Sequence, residues 1–265
     1  MQIYDSSALY NQNMADNKQQ LLKDFYNDLF KGLKVKMIHD CSIGAGGTSL
    51  PLAKLGYDVS GSDISENLLK KAKENFNKAG YDINLYNSDF RELNSKLPNK
   101  YDCIISTGNS LPHICNNDVD IFLKEVSAKL NDKGYLYIDI RNWDLIVKEK
   151  PSFKAFDPMV MTNTEHKSLY QFWNWYKDGS VDFVFVTSTD KNGKHEKHII
   201  LTAPTYYPLI LKDYTNMLKN NGYRLVGCYD LDSIWLGSKQ EQNKIGDFTE
   251  DFNYINWYGI LAQKL

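Results

Sequence analysis

Two acids and two glycines at set spacing carry the first chemical signal in this chain. Residues 37–48 read Met-Ile-His-Asp-Cys-Ser-Ile-Gly-Ala-Gly-Gly-Thr, and Asp63 closes the next short apolar run. A strand-to-helix glycine turn followed about 20 residues later by an acid is the pattern of a nucleoside held at the edge of a parallel α/β sheet. Gly44 and Gly46 let the backbone approach a ligand closely. Asp63 stands where a carboxylate accepts both hydroxyls of a ribose, and Ile64 is counted with it. The pattern predicts an adenosine-containing cofactor.

The register of the turn narrows the choice. A dinucleotide turn reads G-x-G-x-x-G or A, whereas this one reads Ser42-x-Gly44-x-Gly46-Gly47 with Ser49 in the third glycine position. Asp40 ahead of it repels a pyrophosphate but suits an ammonium group. S-adenosylmethionine carries an ammonium and no phosphate, so it is favoured over NAD(P). Asn87-Ser88-Asp89-Phe90 then offers a carboxylate for an adenine amino group and a ring to cover the base. A turn or helix cap at Asp89 is the plainer alternative.

These residues need a β-α-β scaffold, and the hydrophobic pattern supplies one. Leu21, Leu22, Phe25, Leu29 and Phe30 recur at helical spacing, and Val35–Ile38 reads as the strand entering the turn. A helix over 49–56, a strand over 58–62, a helix over 66–79 capped by Ser65, and strands over 82–86 and 101–106 follow. A helix over 118–130 leads through a polar turn to a strand over 135–140. The rhythm predicts an α/β, doubly wound, Rossmann-like and mostly parallel sheet with helices on both faces. It breaks after Arg141. Residues 168–176, 181–190 and 195–203, separated by turn sequences, predict an inserted antiparallel β meander. A helix over 207–220 and strands over 224–230 and 257–265 close the chain, with 237–251 as a surface loop. The expected division is a core of 1–145 and 204–265 with a substrate cap of 146–203.

Composition excludes several function classes. With 265 residues and a net charge of -2, no broad attraction to nucleic acid or an anionic membrane is expected. No window nears the length of about 18 apolar residues needed to span a membrane, and the start lacks the segments of a signal peptide. A soluble, cytoplasmic protein is the expectation. Cys41, Cys103, Cys115 and Cys228 have no CxxC spacing and read as reduced thiols. His195 and His198 flank Glu196 on one strand with no third ligand nearby, so an exposed polar strand is preferred and no metal is expected. Tyr, Trp and Phe concentrate between Tyr170 and Tyr207, lining a cavity or shielding a sheet face.

Over residues 35–140 the chain resembles class I S-adenosylmethionine-dependent methyltransferases. A closer resemblance lies in Thr107-Gly108-Asn109-Ser110-Leu111-Pro112-His113 and Ile138-Asp139-Ile140-Arg141-Asn142-Trp143-Asp144, which look like the matching segments of glycine N-methyltransferase and the glycine/sarcosine methyltransferases. It continues weakly to Tyr206-Tyr207-Pro208. The resemblance implies S-adenosyl-L-methionine as donor, S-adenosyl-L-homocysteine as product, and Thr107 on the cofactor side. It also implies an N-terminal aromatic that closes over the cofactor, for which Tyr4 and Tyr10 are candidates. The resembled family includes tetramers, assembled through an N-terminal segment that does not match here, so a homo-oligomer stays open.

Methyl transfer from a sulfonium needs a neutral nitrogen held in line at about 3 Å. Arg141, at the end of a central strand, offers a fork for a carboxylate, as the matching arginine does in the resembled family; an interdomain salt bridge is the alternative. The side-chain oxygen of Asn109 would accept from the amine, unless the residue only shapes a turn. His113 is read as structural or substrate-orienting in preference to an obligate base. Tyr207, with Tyr170 or Tyr176, would supply hydroxyls or ring faces. The expected function is N-methylation of a small carboxylate-bearing amine such as glycine or sarcosine. The alternatives are another small metabolite, such as an amino sugar or natural-product amine, and a non-catalytic cofactor-binding protein.

Overall fold

The computed structural model describes residues 14–156, 159–162, 164–237 and 251–265. Leu22, Phe25, Tyr26 and Leu29 share the buried face of α1 (Asp16–Leu29). Parallel pairing then builds the sheet. Strand β1 (Met37–Asp40) lies between β2 (Asp58–Asp63) and β4 (Tyr101–Ser106), with β3 (Asn84–Asn87) beyond β2 and β5 (Leu130–Arg141) beyond β4. The connecting helices are α2 (Leu50–Lys54), α3 (Glu66–Lys78), α4 (Leu93–Lys96) and α5 (Val119–Lys129). Ser65 caps α3 by accepting the Leu68 N–H at 3.3 Å.

Strand β1 sits later than the expected 35–38. Its pairing continues to Asp40, opposite Gly61 and Ile105. His39 does not stop it, because the ring nitrogens lie 2.8 and 2.9 Å from the hydroxyls of Ser60 and Ser62 on β2. Burial pushes this imidazole down to about 3, so it is a neutral core group.

Helix α6 (Trp143–Glu149), absent from the sequence reading, is capped by Asn142. The second sheet follows: β6 (Phe153–Ala155), β7 (Met159–Thr162), β8 (Glu165–Trp175), β9 (Val181–Lys191) and β10 (Lys194–Thr202). All pairings in it are antiparallel, in the order β10-β9-β8-β6 with β7 also on β8. Asn192 and Gly193, with φ of 52° and 71°, make the tight turn between β9 and β10. The meander is therefore longer than the pattern suggested, and β6 and β7 join it.

Helix α7 (Leu211–Asn220) begins later than expected, since a proline at 208 keeps Tyr207 extended and Tyr206 is held in a bridge to Val181. Strand β11 (Tyr223–Asp230), helix α8 (Asp232–Leu236) and strand β12 (Trp257–Lys264) complete the seven-stranded order β11-β12-β5-β4-β1-β2-β3. The last two strands run antiparallel to their neighbours.

Apolar cores lie on both faces. One gathers Phe25, Leu52, Phe76 and Ile234 from α1, α2, α3 and α8; the other gathers Phe122, Val126, Tyr214 and Leu218 from α5 and α7. This second core continues into the antiparallel sheet through Trp173, Val181, Phe183 and Leu201. The five parallel strands end at Asp40, Asp63, Asn87, Ser106 and Arg141. Open α/β sheets bind ligands at that edge, beyond the carboxyl ends of the strands. Residues 238–250 of the expected surface loop, and both Tyr4 and Tyr10, lie outside the described residues. Among the described residues no helix is long and apolar enough to cross a membrane.

Candidate functional site

The first turn is held by its two acids. Asp40 is fully buried; Oδ1 accepts the Ser42 N–H at 2.9 Å and Oδ2 accepts the Ser49 hydroxyl. Burial raises its carboxyl to about 6 despite these bonds. Asp63 accepts the Gly44 N–H on Oδ2 and the Ser65 N–H on Oδ1, each at 2.9 Å. These two bonds add a structural task to the ribose-accepting role expected of it. The carboxylate first braces the turn and the start of α3, and only its remaining lone pairs face outward.

The two glycines do different jobs. Gly44, with φ of 52°, has no atom within 4 Å of where a Cβ would stand, so open space adjoins it. Gly46, with φ of 82°, would set a Cβ 2.8 Å from Phe76 Cε2. Close packing on α3 is one reason for a glycine here, beside the ligand approach expected of it. Ser42 joins the turn to the end of β4: its Oγ accepts the Thr107 N–H at 3.1 Å and lies 3.1 Å from Ser106 Oγ. The Thr107 hydroxyl donates to Thr48 at 2.9 Å.

At the end of β3, Ser88 donates its N–H to the Asp63 carbonyl at 3.2 Å, beside an Ile64 side chain that is 67% exposed. Asp89 is a cap and an ion pair. It accepts the Arg91 backbone N–H at 2.8 Å, Nε at 2.9 Å and Nη2 at 2.8 Å, and Arg91 holds its carboxyl below the ordinary value. The ring of Phe90 meets Phe122 of α5 edge-on at 5.7 Å. The expected adenine acceptor and ring cover are thus both engaged by protein groups.

Across the sheet edge the pattern changes. Asn109, with φ of 62°, is buried, and its Oδ1 accepts the Arg141 N–H at 3.1 Å and the Trp143 Nε1–H at 3.0 Å. Both partners can only donate, so the amide orientation is settled and Nδ2 is left as a buried donor without a partner. The expectation that the oxygen accepts from an amine is overturned. The group on offer is the NH2.

The Arg141 guanidinium carbon lies 5.5 Å from the ring centroids of Phe183 and Trp257 and 5.8 Å from that of Trp173. Two strands of the second sheet and the last strand of the first thus box one cation. The His113 ring lies 4.0 Å from Tyr206; burial first, then Arg141, push it down to about 4, against a contact with the Thr205 carbonyl. It is neutral at pH 7. Tyr206, not Tyr207, joins the aromatic cluster, 4.5 Å from Phe183 and 5.8 Å from Trp143. Tyr207 donates its backbone N–H to Pro112. Tyr170 stacks on Phe153 on the face of β8 opposite Trp173, and the exposed Tyr176 hydroxyl donates to Asp182, so neither ring reaches Arg141.

Asp139 ties the loop after β4 to β12. Its Oδ1 accepts the Gly108 N–H at 2.8 Å and the Trp257 Nε1–H at 3.0 Å, and burial raises the carboxyl to about 7. Trp257 stacks on Trp235 at 4.7 Å, and Lys18 Nζ of α1 sits 4.2 Å from that second ring. Sequence reasoning quoted Asp139 and Trp143 within a motif but assigned them nothing. It missed Lys18, Trp235, Trp257, Trp173 and Phe183 because only folding brings those segments together. His195 lies 3.4 Å from Asp190 on exposed β10, and no trio of metal-ligating side chains occurs among the described residues.

Residues 38–134 match the model of a methyltransferase domain. The glycine/sarcosine N-methyltransferase of Halorhodospira halochloris is 32% identical over 176 residues, 64% of this chain and 66% of that protein. Alignments to three other glycine methyltransferases span 22–48% of their length. An S-adenosylmethionine-dependent methyltransferase from Clostridium acetobutylicum superposes with a TM-score of 0.73 at 16% identity, covering 97% of this chain and 95% of that one. CalS10, an amino pentose methyltransferase from Micromonospora echinaspora, gives 0.67 at 11% identity over 100% and 98%. The fold and the site edge define a class I α/β methyltransferase architecture. The chain belongs to the S-adenosylmethionine-dependent methyltransferases.

Proposed function

We propose that this protein transfers the methyl group of S-adenosylmethionine to the amine nitrogen of a small acceptor carrying a carboxylate, with glycine or sarcosine as the simplest members. The observation that carries the reading is a boxed Arg141 guanidinium together with the partnerless NH2 of Asn109, whose Oδ1 accepts the Arg141 backbone N–H. Donors so arranged suit a carboxylate and do not suit an ammonium.

The other edge fits the cofactor. Gly44 adjoins open space, Ile64 offers an exposed apolar side chain beside the Asp63 carboxylate, and Asp40 and Asp139 are buried acids whose chemistry would suit the cationic half of the donor. Asp40, Gly44, Asp63, Ile64, Ser88 and Thr107 would hold it, with Ser42 and Gly46 shaping the turn. When bound, the cofactor supplies a methyl group already activated by its sulfonium, so positioning outweighs acid–base help. Trp173, Phe183 and Trp257 exclude water around Arg141, which strengthens its grip on an anion. His113, neutral and weakly basic, orients the acceptor and takes no proton. On this reading β6–β10 form the cap of the acceptor side.

Arg141→Ala tests it. S-adenosylhomocysteine affinity by calorimetry should stay within about twofold, while kcat/KM for glycine or sarcosine falls at least about 100-fold, the cost of removing a partly buried charged partner. An unchanged kcat/KM would remove the carboxylate from the reading.

A further inference from the structure

The inner face of the second sheet carries a side chain that neither the fold nor the carboxylate grip explains. Gln171 of β8 is fully buried, and both its Nε2 and its Oε1 lack a hydrogen-bond partner. The large majority of buried polar side-chain atoms in folded proteins are paired, and an orphaned amide costs on the order of 1–3 kcal/mol per group. Trp173 Nε1, next on the same face, is also buried without a partner.

These groups lie beside the acceptor site. Trp173 stands opposite Phe183 in register and Gln171 opposite Phe185. Trp173 and Phe183 are two of the three rings around Arg141. Alternate residues of a strand share a face and are about 7 Å apart, so Gln171 is one step along the sheet from the Arg141 box. Asn109 Nδ2, past the end of β4 and tied through its Oδ1 to the backbone of Arg141, is a further buried polar atom without a partner. An amide offers one donor and one acceptor side and no charge, so its natural complement is a neutral amide or hydroxyl.

We propose that Gln171 is a specificity-determining residue whose amide reads a second, neutral polar group on the acceptor. The acceptor is then a carboxylate-bearing amine longer than glycine, with an amide or hydroxyl some four or five carbons along. This rests on the reading of Arg141 as the carboxylate grip. It adds length and end-group chemistry to the substrate class.

Gln171→Met removes both polar atoms at similar volume. The test compares wild type, this variant and Arg141→Ala, each saturated with S-adenosylhomocysteine, by calorimetric binding of glycine, homoserine, asparagine and glutamine, together with KM and kcat for the same amines. The wild type should favour at least one of the longer acceptors over glycine. Gln171→Met should weaken that acceptor's binding and raise its KM by about 10- to 100-fold, with little change in kcat. Glycine binding and S-adenosylhomocysteine affinity should stay within about twofold, and the unfolding midpoint should rise by about 2–4 °C as the orphaned amide is lost. A raised midpoint with equal or no effect on all four amines overturns the proposal, leaving Gln171 a structural cost only. Arg141-dependent binding that does not distinguish glutamine, asparagine or homoserine from glycine overturns this inference alone. Binding indifferent to Arg141→Ala overturns the carboxylate reading beneath it, and this inference with it.

Discussion

The two halves of the site are built on opposite principles. On the cofactor side nearly every polar group is already paired: Asp40 with Ser42 and Ser49, Asp63 with Gly44 and Ser65, Asp89 with Arg91. On the acceptor side Asn109 Nδ2, Gln171 and Trp173 Nε1 are buried and unpaired, among aromatic rings. On the function proposed above, the difference assigns specificity to the acceptor side. A half whose groups satisfy one another is a preformed cradle, whereas a half with orphaned donors gains most from a ligand that completes them.

The strongest way to break this contrast is Asn109→Asp. Aspartate keeps an oxygen for the Arg141 and Trp143 donors but replaces the free NH2 with an anion. A carboxylate acceptor should lose about 100-fold in kcat/KM, through like-charge repulsion, while S-adenosylhomocysteine affinity holds. Retained activity would return the amine-accepting role to the Asn109 oxygen.

Asp63→Asn strikes the other half. The amide can accept only through its oxygen, so either the Gly44 or the Ser65 N–H would face an NH2. Calorimetry should show S-adenosylhomocysteine binding weakened by about 10-fold, with the KM of the amine within about twofold. Equal damage to both constants would mean the halves are not separable.

The smallest effect concerns Asp139, which bonds to Gly108 and Trp257. Burial raises its carboxyl to about 7, so the folded protein holds this proton more tightly than the unfolded chain. No penalty is present below about pH 4; it grows as the pH rises through 7 and is constant above. Asp139→Asn should therefore gain stability relative to wild type between pH 5 and 8, by on the order of 1–2 kcal/mol in urea unfolding. A pH-independent difference would show that the acid is not desolvated in the fold.

Much of the cofactor half was legible because its contacts are local. Asp40 reaches Ser42, and Asp63 reaches Ser65, within two residues, so spacing alone announces them. Legibility stopped where one residue type serves two ends: Gly46 reads as a ligand glycine, and its packing on Phe76 in α3 is a second reason for it that spacing does not show. Asp89 reads either as an adenine acceptor or as a cap, and the structure shows the cap, with Arg91 closed on it. The expected first strand stops at Ile38, and only the two serines on β2 that satisfy the His39 ring show why it runs on.

By itself the sequence determined the alternation of strands and helices, the acids that close β1 and β2, and the arginine at the end of β5. Those features depend on periodicity and short-range bonding, which the order of residues encodes directly. Only the tertiary structure decided which atom of Asn109 is offered, that Tyr206 and not Tyr207 enters the aromatic cluster, and that Trp173, Phe183 and Trp257 surround Arg141. These contacts join chain segments far apart in sequence. Their geometry is set by the packing of the antiparallel sheet on the first one, and no local pattern records it.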